Sequence, residues 1–417
     1  DLVLDLPEEL EVGATGAEVE VKKKGSRRLH TYHARDVHDF AFVAGASLVK
    51  RTRRYQGVTF TLLSPRDLLE DSLPHLHLTI TALERLEELL GPYPYRNLTV
   101  VVPPEDASGA GGMEYPTLFT THVTEMGLPG TLEDEQTTVH ELIHQYFQGL
   151  LASNEAREPW LDEGFTTYVT GIVMDDLYGR DTSFLNLGGL RLGYYPLLRL
   201  CIKHRGDWDK IGAPSWSHAN MSTYGVTAYC KASMLLKSLE GLLGRRRMNR
   251  LLRTYVKRYR FRHPKTEDFL ALLEDEAGPA PRRLVEAALT GVATVDHRVV
   301  SISNHKKDDP QKQASKNLSL VTLHRRGSLA WPVEVEIHTE NGHIVRQTWS
   351  DSKRWKILRL SLDSKVVEVQ LDPERKVWLD LRRWNDGLTV DHHGGAARNM
   401  AVSYGVLLQW ALQTFGI

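Results

Sequence analysis

The run TTVHELIHQYF, residues 137–147, constrains the fold of this 417-residue chain more than any other feature. It contains His140, Glu141 and His144. Residues four positions apart lie one above the other on an α-helix, so both imidazoles face one point only if the run is helical. Glu141 then lies about 100° around the helix axis, beside that point. This pattern is typical of a zinc-binding helix.

A second motif, WLDEGF, supplies a candidate third ligand. Its Glu163 is separated from His144 by 18 residues. Residues 151–160 contain Asn154 and Pro159 and predict a loop, after which Glu163 lies in the first turn of a second helix. Three protein ligands leave one coordination position open, which is typical of a catalytic zinc site.

Two further motifs are consistent with the same site. GGMEYP places a carboxylate beside paired glycines, which permit close backbone approach. We expect it to precede an edge strand, TLFTTH at residues 117–122, with which a peptide can pair. The candidate substrate-binding residues in this motif are Gly111, Gly112, Met113, Glu114 and Tyr115.

The run STYGVTAYCKASMLLKSL places two phenols, Tyr224 and Tyr229, at the start of a predicted helix. A phenol at the site can donate a hydrogen bond to a developing oxyanion. We therefore add Tyr229 to the candidate catalytic residues and Tyr224 to the candidate substrate-binding residues.

Composition excludes several classes of protein. With 52 Lys plus Arg against 53 Asp plus Glu, the net charge is near zero and predicts no nucleic-acid partner. Two cysteines, Cys201 and Cys230, are too few for a disulfide-stapled secreted scaffold. They leave the compartment open, either cytoplasmic or membrane-associated, and the oligomeric state is open as well.

The pattern along the chain predicts an α+β multidomain protein. Residues 58–63 and 98–102 are predicted strands that flank a helix, and residues 131–290 have mainly helical periodicity. We predict five segments: 1–38, the last strands of an N-terminal β-domain; 39–295, a mainly helical domain with a small β-sheet; 296–317, a polar linker; 318–390, a small β-sandwich module; and 391–417, a C-terminal hydrophobic helix.

The β-sandwich module is predicted from six alternating runs separated by turn residues such as Asn341-Gly342. These runs are LSLVTLHRRG, PVEVEIHTENG, HIVRQTWS, WKILRLSL, KVVEVQL and KVWLDLRRW.

The C-terminal segment carries no charge from Met400 to Ile417, which reaches the lower length limit for a membrane-spanning helix. Gln409 and Gln413 favour a helix packed on the protein instead. Three alternatives stay open for residues 399–417: a packed helix, a membrane contact and a partner surface.

Taken in order, GGMEY, HExxH, WLDEGF and YCKA resemble the M1 family of zinc aminopeptidases, the gluzincin group that includes leukotriene A4 hydrolase. The resemblance covers about residues 39–295. It implies a thermolysin-like catalytic domain with one Zn²⁺ held by His140, His144 and Glu163.

The resemblance also implies the activity, which is hydrolysis of the N-terminal peptide bond of peptides through a zinc-bound water. Glu141 is then the general base, Tyr229 stabilises the transition state, and Glu114 holds the free α-amino group. Alternatives are a zinc endopeptidase that makes no use of Glu114, an epoxide hydrolase, and a catalytically silent M1-like binding scaffold.

This chain departs from the family pattern at three positions near the motifs. Tyr115 stands where the family usually has Asn, Asp162 where Asn is frequent, and Ala232 where Gly is common. None of these departures removes a predicted metal ligand or the predicted base.

Overall fold

The computed structural model describes residues 1–124, 127–205, 207–307 and 316–390, together with Val402 and Gln409. The described residues form two compact units, one of residues 1–294 with 376–381 and one of 295–375 with the residues from 382 onward. The hydrophobic helix predicted at 391–417 lies outside the described residues, apart from these two isolated positions. None of the described helices combines the length and apolar character needed to cross a bilayer.

The first unit contains several small sheets. Its strands are β1 (Leu2–Pro7), β2 (Glu11–Ala14), β3 (Ala17–Lys24), β4 (Arg27–His33), β5 (Phe42–Gly45), β6 (Leu48–Tyr55), β7 (Val58–Pro65), β8 (Asn97–Val101), β9 (Met113–Tyr115), β10 (Leu118–Thr120), β11 (Leu185–Leu187) and β12 (Leu190–Leu192). Strands β1, β4 and β3 form one sheet, whereas β2 pairs with β5. The pair β2–β5 joins residues on both sides of the predicted boundary at 38. The assignment of 1–38 to a longer β-domain stays a prediction.

A five-stranded sheet in the order β6-β7-β8-β10-β9 borders the candidate site. Strands β7, β8 and β10 are parallel, and β9 is antiparallel to β10. This order corrects the prediction that residues 117–122 form the edge strand. The edge strand is β9, which contains Glu114, and β10 lies between β8 and β9.

Helices form the rest of the first unit. They are α1 (Leu69–Leu90), α2 (Glu133–Phe147), α3 (Phe165–Tyr178), α4 (Tyr194–Arg205), α5 (Met221–Tyr224), α6 (Ala232–Leu243), α7 (Arg245–Tyr259), α8 (Thr266–Ala277) and α9 (Pro279–Thr290). The predicted HExxH helix is confirmed as α2, whose apolar side chains Val139, Leu142 and Ile143 are fully buried. Burial of this apolar face fixes α2 in the core and so fixes the direction of its polar residues.

Two π-helical turns, Trp160–Gly164 and Gly225–Lys231, lead directly into α3 and α6. The first contains Glu163 and the second contains Tyr229, so both candidate site residues lie where the helical hydrogen-bond pattern is widened. A disulfide between Cys201 and Cys230 connects α4 to the second turn, with the two Cα atoms 6.3 Å apart.

The second unit consists of two antiparallel sheets, in the orders β13-β14-β17 and β16-β15-β18-β19. Its strands are β13 (His297–Lys307), β14 (Lys316–Arg325), β15 (Val333–Thr339), β16 (Ile344–Trp349), β17 (Trp355–Leu362), β18 (Val366–Leu371) and β19 (Gly387–Thr389). Residues Val333, Val335 and Ile337 of β15 are buried, as the alternating pattern predicts. Gly342, with φ +82°, lies in the turn between β15 and β16.

The structure corrects the predicted linker at 296–317, because residues 297–307 form strand β13. The polar composition conceals this strand. Asn304 accepts a hydrogen bond from Ser319 Oγ of β14 and donates one to Val366 O of β18, so its amide is satisfied between two strands. Polar residues with such partners do not show the apolar alternation that predicts a strand.

The run KVWLDLRRW is also corrected, since residues 376–381 belong to the first unit and form no named strand. Trp378 and Leu379 are buried there, and their backbone N–H groups donate to Ser238 Oγ on α6 at 2.9 and 3.0 Å. The apolar alternation of this run therefore reflects packing on a helix.

Candidate metal centre

The three predicted metal ligands meet at one point between α2 and the turn Trp160–Gly164. His140 Nε2 and His144 Nε2 are 3.1 Å apart, and Glu163 Oε2 lies 3.3 and 3.4 Å from them. Ligand atoms about 2.0–2.1 Å from a tetrahedral zinc are about 3.3 Å from one another. The observed triangle therefore fits three ligands of one zinc ion.

The charges around the triangle favour a cation. Burial acts to lower the pKa of His144, but Asp162, Glu114 and Glu163 raise it well above its usual value. Burial acts to raise the pKa of Glu163, but His144 and His140 lower it below its usual range. Glu163 Oε2 is buried and has no hydrogen-bond partner among the described residues. An orphaned carboxylate oxygen facing two imidazoles is what a divalent metal site requires.

Buried partners hold the two imidazoles. Asp162 Oδ1 lies 2.6 Å from His144 Nδ1, and Thr166 Oγ1 lies 3.2 Å from the same nitrogen. Thr170 Oγ1 lies 3.5 Å from His140 Nδ1. Such partners orient each ring so that Nε2 faces the metal position. Sequence reasoning identified Asp162 only as a departure from the family pattern and assigned no role to the two threonines.

Glu141 lies beside the triangle, with a carboxylate oxygen within 4.8 Å of a ring nitrogen of His144. It is 5% exposed, and its Oε2 has no hydrogen-bond partner in the part of the chain that the structure describes. Burial raises its pKa to about 8. Gly112, with φ +71°, passes close to this carboxylate, because a Cβ at Gly112 would lie 3.7 Å from Glu141 Oε1. A carboxylate in this position can accept a proton from a molecule at the metal.

Tyr229 reaches the same point from the second π-helical turn. Its hydroxyl donates a hydrogen bond to Glu163 Oε1, and its ring stacks 6.0 Å from the His140 ring. Burial, followed by the charge of Glu163, raises the pKa of Tyr229 well above its usual value, so the phenol remains a proton donor. Tyr224 packs edge-on against the Tyr229 ring.

Hydrogen bonds join the GGMEY segment to helix α2. Gln145 of α2 accepts a hydrogen bond from Thr117 N and donates one to Tyr115 O, at 2.8 and 3.0 Å. These bonds fix β9, where Glu114 stands opposite Phe119 of β10. One oxygen of Glu114 lies within 4.8 Å of a carboxylate oxygen of Glu141 and of a ring nitrogen of His144.

Gly111 and Met113 lie in the same segment as Glu114. Gly111 is half-buried, and Met113 is exposed on the edge strand, where its N–H donates to Thr120 Oγ1. The structure thus brings the four sequence motifs together around the metal triangle. It adds Glu155, in the loop after α2, which no motif identifies; its carboxylate lies within 4.8 Å of those of Glu114 and Asp162.

Part of this chain is similar to known proteins. The model of the peptidase family M1 domain matches residues 75–290. Aminopeptidase M1-B of Oryza sativa subsp. japonica is 30% identical over 210 residues, which cover 46% of this chain and 22% of that protein. Leukotriene A-4 hydrolase of Xenopus laevis is 29% identical over 226 residues, which cover 53% of this chain and 36% of that protein. The matches therefore span a minor part of these relatives.

Solved structures show the same fold. Legionella pneumophila aminopeptidase A, in complex with aspartic acid, aligns with a TM-score of 0.70 at 16% identity over 91% of this chain and 44% of that one. An M1 zinc metallopeptidase from Deinococcus radiodurans aligns with a TM-score of 0.55 at 18% identity over 69% of this chain and 63% of that one. Since the family model covers more than half of the residues, the chain belongs to peptidase family M1.

Proposed function

We propose that the protein is a zinc aminopeptidase that hydrolyses the N-terminal peptide bond of peptides. The observation that carries this proposal is the closeness of Glu114 to the metal triangle: its carboxylate oxygen lies within 4.8 Å of a ring nitrogen of His144 and of a carboxylate oxygen of Glu141. A carboxylate so close to the reaction centre can bind an α-ammonium group only one residue from the scissile bond. The names of the curated relatives support this activity.

One zinc ion held by His140, His144 and Glu163 would acidify a water molecule and polarise the scissile carbonyl. Burial raises the pKa of Glu141 to about 8, and the positive charge of a zinc ion beside it would lower that pKa and keep the carboxylate ionised. Glu141, whose Oε2 is buried and lacks a hydrogen-bond partner among the described residues, then accepts the proton of the attacking water. The same carboxyl then gives that proton to the leaving amine. Burial keeps the proton at this oxygen because bulk water is excluded from it.

Tyr229 stabilises the oxyanion that forms at the carbonyl. Its phenol remains protonated, because burial and the charge of Glu163 raise its pKa, and it already points at the metal ligands through its bond to Glu163. A positioned donor of this kind is stronger in a buried cleft than in water.

Glu114 supplies the selection for a free N-terminus. An ammonium group neutralises this partly buried carboxylate, whereas the amide of an internal peptide bond leaves it without a partner charge. The backbone of the substrate can add to the open edge of β9.

A panel of aminoacyl fluorogenic substrates, each with a free and an N-acetylated α-amine, tests this proposal. We expect the free form to be cleaved at least about 100-fold faster, and a chelator to stop the reaction. Equal cleavage of the acetylated form would identify an endopeptidase, and no cleavage by the zinc-loaded protein would identify a silent scaffold.

A further inference from the structure

The loop that follows α2 brings the carboxylate of Glu155 close to that of Glu114. Oxygens of Glu114, Glu155 and Asp162 lie within 4.8 Å of one another. Asp162 is already held by His144 Nδ1, so Glu114 and Glu155 are the two carboxylates placed to bind a ligand. Glu155 is exposed, so a ligand can reach it from solvent.

The separation of these oxygens suits an ammonium group. Two acceptors that each lie about 2.8 Å from one tetrahedral nitrogen are about 4.6 Å apart. The carboxylate oxygens of Glu114 and Glu155 lie within 4.8 Å of each other, which is close to this separation. One ammonium nitrogen can therefore donate to both of them at the same time.

A buried amide beside the pair also indicates a ligand that donates hydrogen bonds. Gln148 is 6% exposed, and hydrogen bonding with its side chain acts to lower the pKa of Glu155. The oxygen of the same amide, Oε1, is buried and has no hydrogen-bond partner among the residues described. A buried acceptor of this kind costs free energy unless a donor reaches it. An ammonium group carries three N–H donors, enough for two carboxylates and one amide oxygen.

The pKa shifts of Glu114 and Glu155 are consistent with a cation bound between them. Burial raises the pKa of Glu155, and the charge of Glu114 raises it further. Burial also raises the pKa of Glu114. A cation between the two carboxylates relieves both effects.

We propose that Glu155 binds the α-ammonium group of the substrate together with Glu114, and that Gln148 positions Glu155 for this contact. The inference rests on the proposed aminopeptidase activity and adds a specificity-determining residue to it. The competing role for Glu155 is recognition of a basic side chain on the N-terminal residue of the substrate. The position of Glu114 favours the α-ammonium, since its carboxylate also lies within 4.8 Å of Glu141 and His144, beside the reaction centre.

The test compares the zinc-loaded wild type with Glu155→Gln, which removes the charge and keeps the size. Glu70→Gln, at an exposed position in the first turn of α1, is the matched control. Inhibition constants are measured for L-leucine hydroxamate and for its desamino counterpart, 4-methylpentanehydroxamate. We expect Glu155→Gln to reduce the preference for the amine about tenfold and Glu70→Gln to leave it unchanged.

Steady-state kinetics with leucyl and arginyl substrates separate the two roles of Glu155. We expect KM to rise by the same factor for both substrates, with kcat little changed and the zinc content and Tm retained. A rise confined to the arginyl substrate, or an unchanged amine preference, overturns the role of Glu155 alone. If the wild type itself shows no preference for the amine, the proposed function fails, and the role of Glu155 fails with it.

Discussion

The metal triangle and the neighbouring carboxylates of Glu114 and Glu155 are held by the protein in different ways. Each metal ligand has a polar partner within the helical core: Asp162 for His144, Thr170 for His140 and Tyr229 for Glu163. Glu114 stands on a three-residue edge strand, and Glu155 stands on an exposed loop.

This difference shows which side chains have to be positioned most precisely. Zinc ligands have to be placed within a few tenths of an ångström, and only side chains fixed by buried partners meet that demand. An ammonium group tolerates several donor directions, so its acceptors can lie on elements with fewer constraints. Substitutions at the metal side should therefore change metal content or kcat, and substitutions at the carboxylate side should change KM.

The largest effect is expected for His144→Ala. The triangle loses a nitrogen ligand that is 1% exposed, and two ligands do not retain zinc. Elemental analysis should find no stoichiometric zinc, and kcat/KM should fall at least about a thousandfold. Retention of one zinc per chain by this variant would mean that another residue completes the site.

Glu141→Gln should keep the zinc and lose the base. Because Glu141 is not one of the three ligands of the triangle, metal content should equal that of the wild type, while kcat falls about 10²–10⁴-fold. Loss of zinc, or a rate near that of the wild type, would contradict this division of roles.

Tyr229→Phe removes one oxyanion donor and leaves the ring that stacks on His140. We expect kcat to fall about 10²-fold with little change in KM, since the contact forms mainly in the transition state. Tyr224→Phe is a matched control in a neighbouring tyrosine. Equal losses of kcat in the two variants would mean that Tyr229 and Tyr224 have the same supporting role.

Asp162→Asn tests whether the buried carboxylate strengthens the metal site. The asparagine can still orient His144 but carries no charge, so zinc affinity should fall about tenfold in a chelator competition. Asp176→Asn, at an exposed position on α3, is the control. Equal affinity in all three proteins would limit Asp162 to a role in packing.

The smallest effect concerns the start of α2. Burial acts to raise the pKa of Asp134, but hydrogen bonds with His122 and Thr124 lower it to about 2. A lowered folded-state pKa stabilises the protein above the unfolded-state pKa of about 4, and this contribution is lost as the pH falls toward 2.

Asp134→Asn should therefore lower the free energy of unfolding by about 1–2 kcal/mol at pH 7, after allowance for solvent screening. The difference from the wild type should shrink between pH 4 and pH 2. Denaturant unfolding of the metal-free proteins measures this without a contribution from zinc loss. A difference that persists at pH 2 would exclude a charge effect.

The sequence placed His140, His144 and Glu163 together but did not identify Glu155 as their neighbour, for a physical reason. Helix geometry relates His140 to His144 by spacing alone, and burial of the α2 face fixes their direction. Glu155 lies on a loop, whose path depends on tertiary contacts such as those of Ser215 N–H with Ala156 O and of Thr266 N–H with Glu158 Oε1. No periodic pattern records such contacts.

The same reason explains the errors in the fold. Strand β13 was not predicted because its polar residue Asn304 forms its hydrogen bonds with distant strands. Residues 376–381 have the alternating pattern of a strand because Trp378 and Leu379 pack on α6. The hydrophobic helix at 391–417 stays a prediction.

The most direct test of the central claim is a zinc titration of the metal-free protein that records bound zinc and the rate on a free-amine aminoacyl substrate in the same samples. The three-ligand triangle predicts that the rate rises in proportion to bound zinc and reaches its plateau at one zinc per chain. Full activity before zinc is added, or no activity at one zinc per chain, would contradict the account.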